Sequence, residues 1–403
     1  MQQLSATETA LLAGIDQAAM LERTQSWAAI NSGTGNLDGL AKVAALLADA
    51  FSALPGDVTL RDPAPVTVVD AAGREVEKPH GRHLVCTVRP QAERRLLLTG
   101  HMDTVFPADH PFQTLTWLDE ETLNGPGTAD MKAGLSIILE ALRAFETSAA
   151  AAHVGYDVMI NSDEETGSLA SAALIDALAR GKFAALTYEP SALPDGTLAH
   201  ARGGSGNYSV TFTGRSAHAG RNPQDGRNAI VAAADCVLRL KQMQHGDLPI
   251  NPAKIDGGAA NNVVPDHAVL RFNIRPKTPE AGEQFARDLK LMLAELEVRH
   301  EVSIHLHGGI SRPPKPVDAK AQKLFDLVQA SGAALGQTIG WQPSGGVCDG
   351  NNIAANHVPV VDTMGVRGGK IHSPDEYMIV PSLTERAQLS AIVLHRLATG
   401  EHL

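Results

Sequence analysis

The stretch RRLLLTGHMDTVFP, residues 94–107, decides how this chain is read. Its apolar run LLLTG stops at a histidine and an aspartate two residues apart, His101 and Asp103. So continuous an apolar run suits a strand covered on both faces, as strands of parallel sheets are. In open sheets of that kind the carboxyl ends of the strands open onto the ligand crevice. A lone His-x-Asp can equally be ordinary polarity capping a strand, so the residues around it must decide.

Working outward, residues 83–88, 156–160 and 183–187 read as further short strands. Between them, residues 131–145 carry Met131, Leu135, Ile138, Leu139, Leu142 and Phe145 at helical spacing. Residues 168–179 repeat that style behind Ser168, which could cap a helix. The alternation predicts an α/β fold. Residues 205–307 differ: strand 207–213, helix 225–243, strands 252–257 and 268–274, helix 279–298 and strand 301–307. That order is the split βαβ, ferredoxin-like unit. The prolines of SRPPKPVD, residues 311–318, mark a linker, after which α/β patterning resumes through 319–336 and the glycine-rich WQPSGGVCDGNN. The expected organisation is a catalytic domain in two parts, residues 1–203 and 314–403, interrupted by an inserted domain at 204–313.

With 403 residues the chain exceeds what one hydrophobic core usually supports, which agrees with two domains. A formal charge of −11 disfavours nucleic acid and anionic membranes as partners, since both select basic surfaces. No run of eighteen apolar residues occurs, and the N-terminus lacks a basic and apolar leader, so a cytoplasmic location is expected. Cys86, Cys236 and Cys348 are few, odd in number and far apart, which fits reduced thiols better than a disulfide framework.

Two other apolar runs end as the first one does. YDVMIN leads into Ser162, Asp163, Glu164 and Glu165, and FAALTY leads into Glu189 and Pro190. Asp130 follows the turn-forming NGPGTA at the start of a helix. Each has a bland reading, because glutamates commonly sit at helix N-termini and Asp130 can cap its helix. Together they are harder to dismiss. Two carboxylates about 4 Å apart repel by roughly 4 kcal/mol at an effective dielectric of about 20, so several cannot share a crevice uncompensated. Lys132 and Arg202 are the only cations nearby in sequence, whereas histidines mixed with carboxylates are a ligand set for a divalent ion. A site for one or two such ions reconciles the residues. His372 in GGKIHSPDEY could join it or be an ordinary loop histidine, and His305 and His307, with no acids around them, read as an exposed strand face.

At this point HMDTVFP, NGPGTADMKAG, INSDEETGS, YEPS, GRSAHAG and IHSPDEY, in that order, resemble the dizinc metallopeptidase and aminoacylase family. That family includes glutamate carboxypeptidase, acetylornithine deacetylase and succinyl-diaminopimelate desuccinylase. The resemblance implies a mixed sheet sandwiched by helices, with an inserted α+β dimerisation domain. It implies Asp130 as the carboxylate bridging two zinc ions, with Glu165 and His372 completing one ion and His101 and Glu189 the other. Asp103 is then the residue that orients His101, and Glu164 the general base. A cis peptide at Asp130–Met131 is implied as well. Cobalt or manganese could replace zinc at such ligands.

The same resemblance implies that His218 reaches the active site of a partner subunit and helps hold an oxyanion, hence a homodimer. Asn262, in NNVVP, matches a substrate-contacting asparagine. Arg275 matches an arginine that grips a substrate carboxylate; the alternative is a surface arginine paired with Asp or Glu. Gly345 and Gly346 offer unobstructed N–H groups as a second carboxylate contact. The expected activity is hydrolysis of an amide bond to a free C-terminal amino acid, as in glutamate carboxypeptidase, on a small peptide or N-acyl amino acid. Deacylation of an N-acyl amino acid is the alternative of the same chemistry. A non-catalytic dimeric binding protein, or a regulatory role for the inserted domain, are the alternatives of other classes.

Overall fold

The structure is a computed structural model that describes residues 3–400. The chain divides into two compact units. The first comprises the described residues of Met1–Ala64, Pro79–Ala201 and Val317–Leu403, the second Pro65–Lys78 and Arg202–Pro316.

In the first unit a six-stranded sheet runs Asp57–Arg61, His83–Val88, Val154–Asn161, Arg94–His101, Ala184–Thr187, Val360–Val361 in spatial order. The first two neighbouring pairs are antiparallel and the other three parallel. Because side chains alternate across a strand, Leu96 and Leu98 pack into one core and Leu97 into another. The larger core is closed by helices Leu37–Phe51, Ala133–Glu146, Ala319–Ala334 and Ser382–Thr399, the smaller by Ala172–Ala179 and Asp349–Ala354. A sheet covered on both faces explains why its middle strands read as unbroken apolar runs.

Two expected helix starts are corrected. The helix expected from residue 131 begins at Ala133, because Asp130 and Met131 hold non-helical backbone angles and their peptide bond is cis. Ser168 does not cap the helix behind it: that helix spans Ala172–Ala179, and the buried Ser168 hydroxyl donates to Asp349 Oδ1 at 2.5 Å. Asp130, likewise, is no simple cap.

The second unit carries a four-stranded antiparallel sheet in the order Ile250–Gly257, His267–Ile274, Ser205–Thr213, Ser303–Arg312. Helices Ala229–Met243 and Pro279–His300 close its core over Tyr208, Phe272 and Phe285, whose rings stack. This is the split βαβ order of the sequence. The hairpin of Thr67–Val69 and Glu75–Glu77 belongs to this unit, although sequence division at residues 204 and 313 places it elsewhere. Its attachment is polar: Arg271 donates to the carbonyls of Val69 and Asp70 at 3.0 and 2.9 Å, and His307 meets Thr67 at 3.2 Å.

Candidate metal centre

Three strands of the first unit end side by side. His101 closes Arg94–His101, opposite Asn161, the last residue of Val154–Asn161, and Glu189 lies two residues beyond Thr187, the partner of Thr99. The carboxyl edge of the sheet therefore delivers His101, the Glu164–Thr166 turn and Glu189 to one place. His372 comes from a loop in which it and Lys370 hold left-handed backbone angles, φ 63° and 55°.

The side chains meet. Asp130 Oδ1 is 3.0 Å from His101 Nε2, and its Oδ2 is 3.3 Å from His372 Nε2. His372 Nε2 is also 3.2 Å from Glu165 Oε2, and His101 Nε2 is 3.6 Å from Glu189 Oε2. Ligand atoms of His101, Asp130 and Glu165 lie within 4.8 Å of one another, as do those of His101, Glu164 and Glu189. One carboxylate facing two imidazoles with separate oxygens, ringed by further carboxylates, is a donor set that divalent cations accept.

Asp103 is fully buried and works from behind. Its carbonyl accepts from His101 Nδ1 at 3.0 Å, and its Oδ1 lies 3.4 Å from the same nitrogen. With Nδ1 donating there, Nε2 is the ring atom turned toward the cations. The Asp103 carboxylate in turn accepts from Thr34 Oγ1 at 2.7 Å and from the N–H groups of Glu164 and Glu165, both at 3.2 Å. One aspartate thus aligns an imidazole and the turn carrying both glutamates.

Sequence reasoning missed Glu376. Buried beside Asp130, its Oε1 accepts from the N–H groups of Ala129 and Asp130, both at 3.0 Å, and so fixes the turn that presents the Asp130 carboxylate. It stood inside the motif IHSPDEY, but only spacing to Asp130 in three dimensions gives it a task. Ser32 and Thr34 were equally illegible. Lys132 is buried, and its ammonium donates to Ser32 Oγ at 2.5 Å and to the Met102 carbonyl. Arg202, the other cation near in sequence, falls in the second unit.

Hydrogen bonds to Asp130 and Glu165 push the His372 imidazolium up to about 11. Burial alone would lower His101, but Glu189, Asp103 and Asp130 outweigh it and leave its pKa well above the usual value. Burial, reinforced by Asp130, raises Glu165 to about 7 and Glu376 to about 8. Asp130, despite burial, is held low by the two imidazoles.

A sign follows for metal uptake. Both imidazoles are shifted above the ordinary histidine value, which favours a proton on Nε2 that a cation must displace. Affinity must rise with pH. Between pH 6 and 8 the apparent affinity for Zn²⁺ should climb by about tenfold per pH unit for each proton displaced, with about one proton released per ion. Zn²⁺ titration of chelator-treated protein in a weakly buffered indicator solution checks this; proton-neutral uptake would contradict it.

The remaining candidates divide between the units. Gly345 and Gly346 lie in the first, between strand Trp341–Ser344 and helix Asp349–Ala354. A Cβ at Gly345 would meet nothing within 4 Å, so the backbone there is open to approach. Asp349 accepts from Asn161 Nδ2 at 2.8 Å, tying that helix to the end of strand Val154–Asn161. His218, Asn262 and Arg275 lie in the second unit. His218 and Asn262 are brought together: the short strands Ala217–His218 and Val263–Val264 pair, and the Ala219 N–H donates to the Asn262 carbonyl at 2.9 Å. Arg275 is exposed, and among the described residues no carboxylate lies within ion-pair distance of it. His305 is on an exposed strand face, as expected, and its Nε2 meets Glu75 of the hairpin at 2.8 Å.

Imidazoles and carboxylates gathered at the carboxyl edge of a helix-sandwiched sheet define a metal-dependent hydrolase. The chain belongs to peptidase family M20/M25/M40, which its residues 97–396 match. It is 27% identical to carboxypeptidase G2 of Pseudomonas sp. (strain RS-16) over 394 residues, 96% of this chain and 91% of that one. A succinyl-diaminopimelate desuccinylase of Maricaulis maris (strain MCS10) is 27% identical over 322 residues, covering 73% of this chain and 79% of its own. The crystal structure of a tripeptidase from Staphylococcus aureus subsp. aureus Mu50 matches with a TM-score of 0.72 at 26% identity, over 96% of this chain and 100% of that one. No helix among the described residues is long and apolar enough to cross a membrane.

Proposed function

We propose that the chain hydrolyses an amide bond to a free C-terminal amino acid, in the manner of a glutamate carboxypeptidase, with two Zn²⁺ ions per subunit. Co²⁺ or Mn²⁺ suits the same donors. The observation that carries this reading is the Asp130 carboxylate, whose two oxygens each face a different imidazole and so mark two adjacent cation positions. His101 and Glu189 would complete one position, Glu165 and His372 the other.

Two divalent ions, when bound, make water a nucleophile at neutral pH and polarise the scissile carbonyl. The Glu164 carboxylate takes the proton of the attacking water and returns it to the leaving nitrogen. Asp103 holds the His101 ring through Nδ1. His218 donates to the developing oxyanion, Asn262 contacts the substrate, and Arg275 grips the carboxylate of the released amino acid, with Gly345 and Gly346 as a second carboxylate contact. The exposure of Arg275, with no carboxylate within ion-pair distance among the described residues, supports that assignment.

The His218 role implies a homodimer formed by the inserted domain. In support, helices Ala229–Met243 and Pro279–His300 expose Leu238, Leu291 and Val298 at 64%, 67% and 82%. Cys86, Cys236 and Cys348, all buried and none in a disulfide, suit a reducing, cytoplasmic setting. The desuccinylase relative supports a second reading, deacylation of an N-acyl amino acid, which uses the same residues to break the same kind of bond and differs in the acyl group removed.

A panel of acyl-glutamates, dipeptides and acetyl amino acids, assayed before and after chelation, tests the proposal. Release of a free amino acid should vanish with chelation and return with Zn²⁺, Co²⁺ or Mn²⁺. Turnover indifferent to chelation would end the proposal, and preference for short acyl groups over peptides would favour the second reading.

A further inference from the structure

We infer that Asn273 is a positioning residue that aims the Arg275 guanidinium for two-pronged capture of a carboxylate, an inference that rests on the reading of Arg275 given above. Asn273 sits in the inner strand His267–Ile274, opposite Asn207 on one neighbour and Asn251 on the other. Its neighbours in the chain, Phe272 and Ile274, face the helices and are buried in the core. Alternation therefore puts Asn273 on the opposite face of the sheet, in line with Arg271 and Arg275.

The Asn273 amide is held from three sides. Its Nδ2 donates to Asn207 Oδ1 at 2.8 Å, to the Gly206 carbonyl at 3.0 Å and to Ser205 Oγ at 3.2 Å. Its Oδ1 accepts from Arg275 Nε at 2.9 Å. Rotating the amide by half a turn would set Nδ2 against the Arg275 donor and Oδ1 against the Gly206 carbonyl, so the network permits only one orientation. The acceptor offered to Arg275 is consequently fixed.

The two arginines of this strand behave differently. The Arg271 guanidinium is consumed by Asp256 and by the carbonyls of Val69 and Asp70. Among the described residues the Arg275 side chain is engaged only at Nε, and it is exposed. Fixing Nε leaves the Nη1 and Nη2 end of the fork, whose two parallel N–H groups match the oxygens of a carboxylate. A fork already held in place also loses less freedom when substrate arrives. Asn273 thus sharpens the requirement for a free carboxylate without touching the substrate.

The test compares Asn273→Ala, Arg275→Met and the double variant in the metal-loaded protein. The probes are the acyl amino acid or peptide cleaved fastest in the panel and its counterpart with the terminal carboxylate converted to carboxamide. For the carboxylate, Asn273→Ala should raise KM by about three- to tenfold with kcat within about twofold, and the double variant should be no worse than Arg275→Met. The carboxamide should be indifferent to Asn273→Ala. If Arg275→Met leaves KM unchanged, the carboxylate role of Arg275 fails and takes this inference with it. If Arg275→Met raises KM but Asn273→Ala does not, or if Asn273→Ala harms both probes equally, the inference alone fails. An independent readout needs no turnover: in ¹⁵N spectra the Arg275 Nε–H resonance, identified by its loss in Arg275→Met, should exchange slowly with water and become fast in Asn273→Ala. Unchanged exchange overturns the clamp.

Discussion

Replacing Glu164 with glutamine should lower kcat by about 10²- to 10⁴-fold while two ions per chain remain bound. Glutamine keeps the length of the side chain and one acceptor oxygen but cannot carry a proton between water and leaving nitrogen. The backbone that presents it would persist, because the Glu164 N–H is held by Asp103 Oδ1 at 3.2 Å whatever side chain follows. Metal content is the decisive companion measurement. A Glu164 carboxylate oxygen lies within 4.8 Å of ligand atoms of both His101 and Glu189, a position compatible with a base and with a ligand. Loss of activity with full metal content identifies the base. Equal loss of one ion would make Glu164 a ligand and vacate the role of base.

Asp130→Ala should be more severe, releasing both ions together and reducing turnover to the level of chelated protein. Its two oxygens face the two imidazoles, at 3.0 and 3.3 Å, so removing them opens both positions at once. Glu189→Ala, by contrast, removes a carboxylate beside His101 and should leave one ion in place. Metal analysis after dialysis against buffered Zn²⁺ separates these outcomes. An Asp130→Ala protein that keeps one tightly bound ion would show that the carboxylate does not bridge. The folded state should survive, since the buried turn around residue 130 is anchored through backbone N–H groups to Glu376 and not through the Asp130 side chain.

What could be read from the chain, and what could not, follows from the range over which each signal acts. The apolar runs ending at His101, Asn161 and Thr187 report burial on both faces of a sheet, a local property, and they placed the acidic residues at one edge. The order of strands and helices from Ser205 to Arg312 was legible for the same reason. Backbone detail was not. Periodicity carries helix Ala133–Glu146 back to residue 131, because Met131 is apolar and in phase, while the non-helical angles at Asp130 and Met131 leave no mark on that pattern. Contacts between distant polar residues were also hidden: Thr34 on Asp103, Glu376 on the N–H of Asp130, Asn273 on Arg275. Each is an ordinary polar residue until the fold supplies its partner.

The hairpin between Pro65 and Lys78 bears on how the protein can be taken apart. Because it is a second, separate contribution to the smaller unit, the polypeptide enters and leaves that unit twice, and no single pair of cuts excises it. Trimming residues 202–316 alone would strand a lone two-stranded ribbon, stripped of Arg271 and His307, and such ribbons are marginal in water. A self-standing hydrolytic half would have to be spliced at four points, with short bridges across 64–79 and 201–317.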